Sequence, residues 1–187
     1  IGQFLRSFIP HSAPVSLVET LRSGLAGGVA ILLLALVLHY LPQHNFPLLL
    51  FASMASSTVL LFATPHSPFS QPWNLVGGHF ISAIVGWICS LYIADPAMAA
   101  GAAVGIAISL TYFLKCLHPP SGATALAIVL NGAQFHSMGW QWGAVIVIAN
   151  VGILLLLTLF INNIMPGRHY PMSPGPSGHP KTGQFVA

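Results

Sequence analysis

Charged side chains are scarce in this sequence. Its 187 residues include two acids, Glu19 and Asp95, and five strong bases, so charged residues make up 4% of the chain, against about 25% in a typical soluble domain. A soluble protein needs a charged surface to stay dispersed, and this chain cannot build one. Because 55% of its residues are hydrophobic, the composition predicts an integral membrane protein that is surrounded mainly by lipid.

The same scarcity argues against several classes of function. A nucleic-acid-binding protein would cluster its bases, but here they are scattered: Arg6, Arg22, Lys115, Arg168 and Lys181. The two acids lie far apart, one near the N-terminus and one in a turn, so an enzyme that uses general acid–base chemistry is not expected. The nine histidines show no HxH, HxxxH or HExxH spacing, so neither a metal nor another cofactor is predicted.

Long apolar runs predict an all-α polytopic bundle, at roughly 20 residues per membrane-spanning helix. Five to six membrane segments fit into a single transmembrane domain at 19–165, over residues 20–41, 47–63, 75–93, 97–114, 122–131 and 143–163. Residues 1–18 are typical of an interfacial segment, residues 64–73 of a rigid proline-rich connector, and residues 132–142 of a polar-aromatic loop. The Pro/Gly-rich tail at 166–187 is expected to be extended or disordered. Whether 119–131 crosses the membrane fully or re-enters it stays open.

The positions of the bases favour six segments. With six, both termini and the loops at 64–74 and 115–119 share one side of the membrane, and all five bases fall on that side. This arrangement agrees with the enrichment of Lys and Arg in cytoplasmic loops, whereas five segments would put the C-terminal bases opposite Arg6 and Arg22. We therefore expect a multi-pass protein of the bacterial inner membrane with both termini in the cytoplasm.

The two halves of the chain, at 19–94 and 97–164, share an ordered set of features that indicates an internal repeat. The matches pair 24–31 with 101–108, Pro42 with Pro119, Ala52-Ser53-Met54 with Ala123-Thr124-Ala125, and His66-Ser67 with His136-Ser137. Each unit would hold three membrane segments, so the second would be inverted. Inverted repeats are typical of transporters, with the substrate site at broken segments near the midplane. The alternative is that helices rich in Gly, Ala and Leu resemble one another by composition alone.

A double proline interrupts the second half, in the run Leu117-His118-Pro119-Pro120-Ser121-Gly122-Ala123-Thr124. Two prolines cannot continue a helix, so one helix should end near Cys116 and another should begin at 119–121. Residues 121–123 would then offer unpaired N–H groups, which attract anions. Irregular backbone is tolerated in a bilayer only if protein buries it or it lines a wet cavity. The alternative is a plain loop at the membrane surface.

Several side chains near the break each allow two interpretations. Lys115 either anchors the chain at the interface or makes an electropositive mouth for an anion, and His118 either caps a helix or takes up a proton with a permeating acid. Asn74 either caps the third span or belongs to a second helix N-terminus facing the pathway, and the serines of 47–63 either line a pore or bond back to their own helix. The candidate substrate-binding residues are His118, Pro119, Pro120, Ser121, Gly122, Ala123, Thr124, Lys115, Ser53, Ser57, Asn74 and His79.

The glycines of two predicted spans have the spacing of close helix packing: Gly24, Gly27, Gly28, Gly101 and Gly105. Small residues at such intervals let neighbouring helix backbones approach closely in a membrane. Packing within the bundle is the interpretation we favour. The same glycine-rich faces also suggest a homodimer.

The chain resembles the HPP family of integral membrane proteins, which is named for the motif that stands here as His118-Pro119-Pro120. The run from Pro65 to His79, with Gln71-Pro72-Trp73-Asn74 and Gly77-Gly78-His79, is similar to a second signature of that family. The resemblance covers roughly residues 15–165. Plant and cyanobacterial members are associated with nitrite transport, so the resemblance implies a transporter of nitrite or another small inorganic anion.

The residues near the break also favour an anionic substrate. No acid lies near the break, whereas a cation pathway normally contains a buried carboxylate. We therefore expect transport of a small anion through the broken helix, with lipid as the other partner. The alternative is a structural or sensory membrane subunit without transport of its own. A transporter should have a polar cavity reaching 121–124, whereas a packing subunit should fill that region with side chains.

Overall fold

The computed structural model describes residues 15–40 and 48–172, and within them the chain is helical and has no strand. Seven α-helices follow one another within these ranges, with a short 3-10 turn at Pro68–Ser70 between the second and third. They are α1 Leu17–His39, α2 Leu48–Ala63, α3 Pro72–Tyr92, α4 Pro96–Phe113, α5 Ser121–Leu130, α6 Gly132–Met138 and α7 Trp140–Ile164. Most of the predicted interfacial segment, residues 41–47 and residues 173–187 lie outside the described residues.

Local sequence signals explain where several of these helices begin. Ser16 caps α1 by accepting a hydrogen bond from the Glu19 N–H at 3.2 Å, and Asp95 caps α4 by accepting from the Met98 N–H at 2.8 Å. Helices α3 and α4 both have proline in the first turn, where its missing N–H is not needed. Prolines and caps therefore divide the apolar sequence into separate helices.

Four helices are long and apolar enough to cross a membrane: α1, α3, α4 and α7. They leave many large hydrophobic side chains exposed on the outside of the bundle, such as Leu25, Ile88, Ile108 and Phe160. Such a surface suits lipid and not water. Helices α2 and α5 are also apolar but shorter, at 16 and 10 residues. The protein is thus a multi-pass helical membrane protein.

The short helix α5 lies at the centre of the bundle, where it packs against α2, α3 and α4. Helix α7 packs against α1, α2 and α3, while α1 also contacts α2, and α3 also contacts α4. Each half of the chain has the same order: a long helix, a short helix, a brief helical connector and a second long helix. If α1, α2 and α3 are exchanged with α4, α5 and α7 in that order, each of these contacting pairs maps onto a contacting pair, and α2–α5 and α3–α7 map onto themselves.

The glycine packing predicted from the sequence lies elsewhere in the described structure. A Cβ atom would meet nothing within 4 Å at four of the predicted positions, Gly24, Gly28, Gly101 and Gly105. The close approaches occur on α3 instead, where a Cβ at Gly86 would lie 2.7 Å from the carbonyl oxygen of Ala125 in α5. Packing inside the bundle is therefore the wrong role for those glycines, and the homodimer stays a prediction.

Two connecting segments differ from the sequence prediction. The expected loop at 132–142 is mostly helical, because α6 and the start of α7 occupy it and Gly139, with φ of 81°, separates them. The first residues of the predicted tail return to the bundle: Arg168 is 5% exposed and pairs with Glu19. Arg168 also donates to the side-chain oxygens of Asn162 and Ser23. This base therefore belongs to a partly buried polar cluster and not to a freely solvated loop.

Candidate functional site

The break between α4 and α5 lies where the sequence predicts it, but its N–H groups are paired. Helix α4 ends at Phe113 and α5 begins at Ser121, with Pro120 at the cap in a helical conformation. The N–H groups of residues 121–123 donate to the carbonyl oxygens of residues 118–120 at 2.8–3.2 Å. A tight turn therefore precedes α5, and the predicted set of unpaired N–H groups for an anion is wrong.

Helix α3 holds the break in place. The side chain of Asn74 donates to the carbonyl oxygen of Leu117 at 2.8 Å, and so it bridges to the break instead of capping its own helix. Helix α3 lies close against the break, because a Cβ at Gly77 would be 2.8 Å from the Cys116 Cβ and one at Gly78 would be 2.7 Å from the His118 Cβ. The Gly-Gly pair thus allows α3 and the break to approach one another closely.

Five side chains from three helices and the break form one continuous series of hydrogen bonds, which we call the polar chain: His118, Ser57, His79, Thr124 and Ser53. The Ser57 hydroxyl lies 3.0 Å from His118 Nε2 and 2.9 Å from His79 Nε2. His79 Nδ1 lies 2.7 Å from the Thr124 hydroxyl, which is 3.0 Å from the Ser53 hydroxyl. Solvent reaches none of the five side chains, since each is 0% exposed.

Backbone carbonyl groups stand at both ends of the polar chain. His118 Nδ1 lies 2.8 Å from the carbonyl oxygen of Phe69 in the connector before α3, and the Ser53 hydroxyl donates to the carbonyl oxygen of Leu50 at 2.7 Å. Carbonyl oxygens only accept hydrogen bonds, so His118 carries its hydrogen on Nδ1. A second pair lies beside the chain, where the Ser82 hydroxyl donates to that of Ser121 at 3.0 Å.

Acidic groups are remote from this site. The two acids of the sequence are engaged elsewhere, Glu19 with Arg168 and Asp95 at the cap of α4. Lys115 is exposed beside the break, with a positive φ of 54°. In residues 15–40 and 48–172, no three His, Cys, Asp or Glu side chains converge to hold a metal ion. The polar chain is therefore neutral or positive, and an anion suits it electrostatically.

A groove runs along the outer side of the break. It has a volume of about 520 Å³ and is lined partly by Ser56, Thr64, Pro119, Pro120 and Ala123. Three of its lining residues, Ser56, Pro119 and Ala123, are next in sequence to the polar-chain residues Ser57, His118 and Thr124. In the described conformation side chains fill the space around residues 121 and 124, because Ser121 is 3% exposed and Thr124 is 0% exposed.

The sequence around this site is shared with known membrane proteins. A family model described as "HPP, transmembrane region" matches residues 12–171. The chain belongs to the HPP family. The first of two similar transmembrane proteins from Dictyostelium discoideum is 38% identical over 153 residues, which are 79% of this chain and 53% of that protein. The second is 38% identical over 154 residues, 80% of this chain and 49% of that protein.

This HPP chain thus spans about half the length of the curated relatives it matches. No solved structure matches it. In the structure, the family's motif is the break itself: His118 enters the polar chain, Pro119 is exposed at the groove, and Pro120 begins the turn into α5.

The HPP fold brings most of the predicted site residues together. Ser53, Ser57, His79, His118 and Thr124 form the polar chain, Ser121 lies beside it, and Asn74 holds the break. Pro119, Pro120 and Ala123 line the outer groove, Gly122 is half-buried, and Lys115 is exposed at the edge.

Two features of the site were missed. Ser82 is buried three residues after His79, and this helical spacing could have indicated it. The carbonyl group of Phe69 carries no sequence signal.

The connector that supplies the Phe69 carbonyl group is fixed from the C-terminal side of the bundle. The Tyr170 hydroxyl donates to the carbonyl oxygen of Ser70 at 2.7 Å, and Gln71 accepts from the Met172 N–H at 2.9 Å. Burial raises the pKa of the Tyr170 phenol, so the hydroxyl keeps its proton and this hydrogen bond. Residues after α7 therefore support one end of the polar chain.

Proposed function

We propose that this HPP protein transports a small inorganic anion across the membrane, with nitrite as the expected substrate. The observation that carries the proposal is the fully buried polar chain around His79 and His118, in an apolar bundle at a broken helix. Buried polar groups inside a membrane domain are costly and are typical of substrate pathways. Since no acid takes part in the chain, the site suits an anion better than a cation.

The arrangement of the two halves supports a transporter. Under the sequence repeat, Ser53 of α2 corresponds to Thr124 of α5, and their hydroxyl groups lie 3.0 Å apart. Two equivalent residues contact each other where a two-fold axis passes between them. The helix contacts are also preserved when the halves are exchanged. We therefore propose an inverted three-plus-three repeat of six membrane segments, with the candidate site on its axis as in other repeat transporters.

One observation favours a non-transporting structural or sensory subunit instead. Side chains fill the region of residues 121–124, where an open transporter would have a polar cavity. For transport, the described conformation must be a closed one, and the space must open between α2 and α5, which Thr124 and Ser53 join. The outer groove already reaches the break from the side of Pro119 and Pro120, and so opening needs only to connect it with the polar chain.

Liposome uptake tests the proposal. The purified protein is reconstituted and the entry of nitrite, nitrate, formate and chloride is measured with and without a pH gradient. We expect nitrite entry above that of protein-free vesicles, and its loss in His118→Ala and in Pro120→Ala. Both variants must still be folded, as judged by helical circular dichroism and a cooperative melt.

A matched variant separates the site from general damage to the protein. His136 is a histidine outside the polar chain, on α6, and bonds to the Ser90 hydroxyl at 3.0 Å. We expect His136→Ala to keep nitrite entry. Undiminished entry in both break variants would refute the proposed site, and no entry of any of the four anions would favour the non-transporting alternative.

We also propose the orientation of the protein in its membrane and the kind of membrane that contains it. Both termini would lie in the cytoplasm, with the break on that side, and the membrane would be the bacterial inner membrane. A cysteine-accessibility experiment at exposed Lys115 tests this: Lys115→Cys should react with an impermeant thiol reagent in inside-out vesicles and not in intact cells.

A further inference from the structure

The polar chain contains fewer hydrogen atoms than hydrogen bonds. Six contacts in series join Phe69 to Leu50 through the five side chains, all with separations of 2.7–3.0 Å. The Ser57 hydroxyl also lies 3.1 Å from the carbonyl oxygen of Ser53, and this seventh, longer contact competes for the same hydrogen. With both imidazole rings neutral, each of the five side chains has one hydrogen to donate. Both ends are carbonyl oxygens and donate nothing. Only five hydrogen atoms are therefore available for the six contacts in series.

No choice of tautomer or hydroxyl rotation removes this deficit. If Ser53, Thr124 and His79 donate toward Leu50, then both imidazole Nε2 atoms face the single hydrogen of Ser57. If all groups donate toward Phe69 instead, the Ser53 hydroxyl faces the Leu50 carbonyl oxygen at 2.7 Å without a hydrogen between them. In each case one close contact joins two acceptors, which is unfavourable in a buried site.

One additional proton completes the series. Placed on the Nε2 atom of either ring, it lets that ring donate to Ser57 while Ser57 donates to the other ring. We propose that the polar chain binds one proton, which His79 and His118 share through the Ser57 hydroxyl. The ring centroids are 5.1 Å apart, so a second proton would place two like charges side by side and is excluded.

The groups around the two rings leave this charge without a protein counter-ion. Helices α2, α5 and α7 carry no titratable side chain, and α4 faces α5 with none apart from exposed Tyr112. Helix α1, which packs on α2 and α7, carries Arg22, His39 and the acid Glu19, whose carboxylate is paired with Arg168. On α3, Cys89 and Tyr92 lie beyond the site toward the far end of the helix. Near the break, the titratable groups are Cys116, exposed Lys115, His66 in the connector and the Tyr170 phenol against Ser70. None of these is an acid.

A proton bound here therefore makes the site a single positive charge that an anion can neutralise. This second step rests on the proposed function: the proton and the anion bind cooperatively and cross the membrane together. Each ligand then raises the affinity of the other, as linkage requires. The pair would move as the equivalent of the neutral acid, so no net charge crosses the membrane.

Nitrogen NMR of the full-length protein in lipid tests the proton site directly. The sample carries ¹⁵N-labelled histidine, and His79→Gln and His118→Gln assign the two rings. Between about pH 8 and pH 4, we expect the pair to gain one imidazolium charge in total, spread over both rings. Two rings that stay neutral throughout, or two that each gain a full proton, would overturn the proposal.

Ser57→Ala and Ser90→Ala form a matched pair for this experiment. Both remove a hydroxyl that bonds to a histidine ring, but Ser90 bonds to His136, outside the polar chain. We expect Ser57→Ala to abolish the shared proton and Ser90→Ala to keep it. Equal titration in the two variants would contradict the role of Ser57.

Transport measurements distinguish this inference from the proposed function. While the pair is neutral, the carrier-dependent rate of nitrite entry should rise roughly tenfold for each unit of acidification on the entry side, after subtraction of the leak through protein-free vesicles. The slope should be lost in Ser57→Ala and kept in Ser90→Ala. A shared proton without anion flux would refute transport and keep the proton site. Flux with two neutral rings would refute the proton site and keep transport.

Discussion

The closest backbone approach at the candidate site occurs at Gly78, and a single methyl group there tests the described geometry. A Cβ at Gly78 would lie 2.7 Å from the His118 Cβ, 3.1 Å from the Cys116 carbonyl oxygen and 3.2 Å from the Ser121 hydroxyl oxygen. Two of these atoms cannot rotate away, because they belong to the backbone or to the base of a side chain. Since carbon atoms pack at about 3.5–4.0 Å, α3 and the break must separate by about 1 Å.

The size of the effect follows from a comparison with Gly101, where a Cβ would meet nothing within 4 Å. Both glycines lie within helices, so alanine gains a similar helix preference of about 1 kcal/mol at each. The difference between Gly78→Ala and Gly101→Ala is therefore the overpacking alone, about 1–3 kcal/mol. In a chain of this length that difference corresponds to a melting temperature roughly 2–12 °C lower for Gly78→Ala.

A 1 Å separation should also affect the polar chain. His118 would move away from Ser57, and a contact of 3.0 Å would lengthen beyond the range of a hydrogen bond. We expect Gly78→Ala to melt earlier than Gly101→Ala in the same detergent and to lose nitrite entry, while Gly101→Ala keeps it. If the two variants have equal melting temperatures and equal transport, the close approach of α3 to the break is wrong.

Three further predictions concern groups outside the polar chain. Tyr170→Phe should lower the free energy of unfolding by about 1 kcal/mol, because it removes the hydrogen bond to the Ser70 carbonyl oxygen. Because burial raises the pKa of this phenol in the folded protein, the wild type should lose stability as the pH rises above about 10, and the variant should lose less in the same pH titration. Arg168→Gln should lower the free energy of unfolding by about 1–3 kcal/mol, because it leaves the partly buried Glu19 carboxylate unpaired. A second change, Glu19→Gln, removes that unpaired charge and should recover part of the loss. Asp95→Ala should lower the free energy of unfolding by about 1 kcal/mol, because it removes the cap of α4. Asp95→Asn should keep most of the wild-type stability, because asparagine can also cap a helix. Chemical denaturation in detergent checks each value.

The helices and the break could be predicted because their signals are local. Charge-free apolar runs, caps and prolines lie within a few residues of the boundaries that they determine, and the predicted second segment, 47–63, differs from α2 by one residue at its start. Ser57, His79, His118 and Thr124 could be named as candidates because polar side chains are unusual among apolar neighbours. Their connection into one chain depends on how three helices and a loop are packed, which local sequence does not encode.

The incorrect or missing predictions all depend on geometry at longer range or on a choice between two allowed backbones. A proline at position 120 allows both an extended and a helical conformation, and the helical one pairs the N–H groups of residues 121–123 in a tight turn. Arg168 finds Glu19 at a distance of 149 residues in sequence. The glycines of α1 and α4 have the spacing of packing residues, but at positions 24, 28, 101 and 105 no neighbouring helix comes within 4 Å of where a Cβ would lie.

The double proline explains how one hydroxyl group can lie between two histidine rings. His79 is held within α3, and a helix allows its side chain only a narrow range of positions. His118 comes from the break, whose backbone can turn so that one ring nitrogen reaches the Phe69 carbonyl oxygen and the other reaches Ser57. Had α4 continued through residue 118, the helix would have fixed that ring as well, and the backbone N–H groups would have been committed to the helix. By ending α4 and starting α5, the prolines free residue 118 to join α2 and α3. The resulting chain lies between two carbonyl oxygens and has one hydrogen fewer than its contacts in series, which creates the place for a proton.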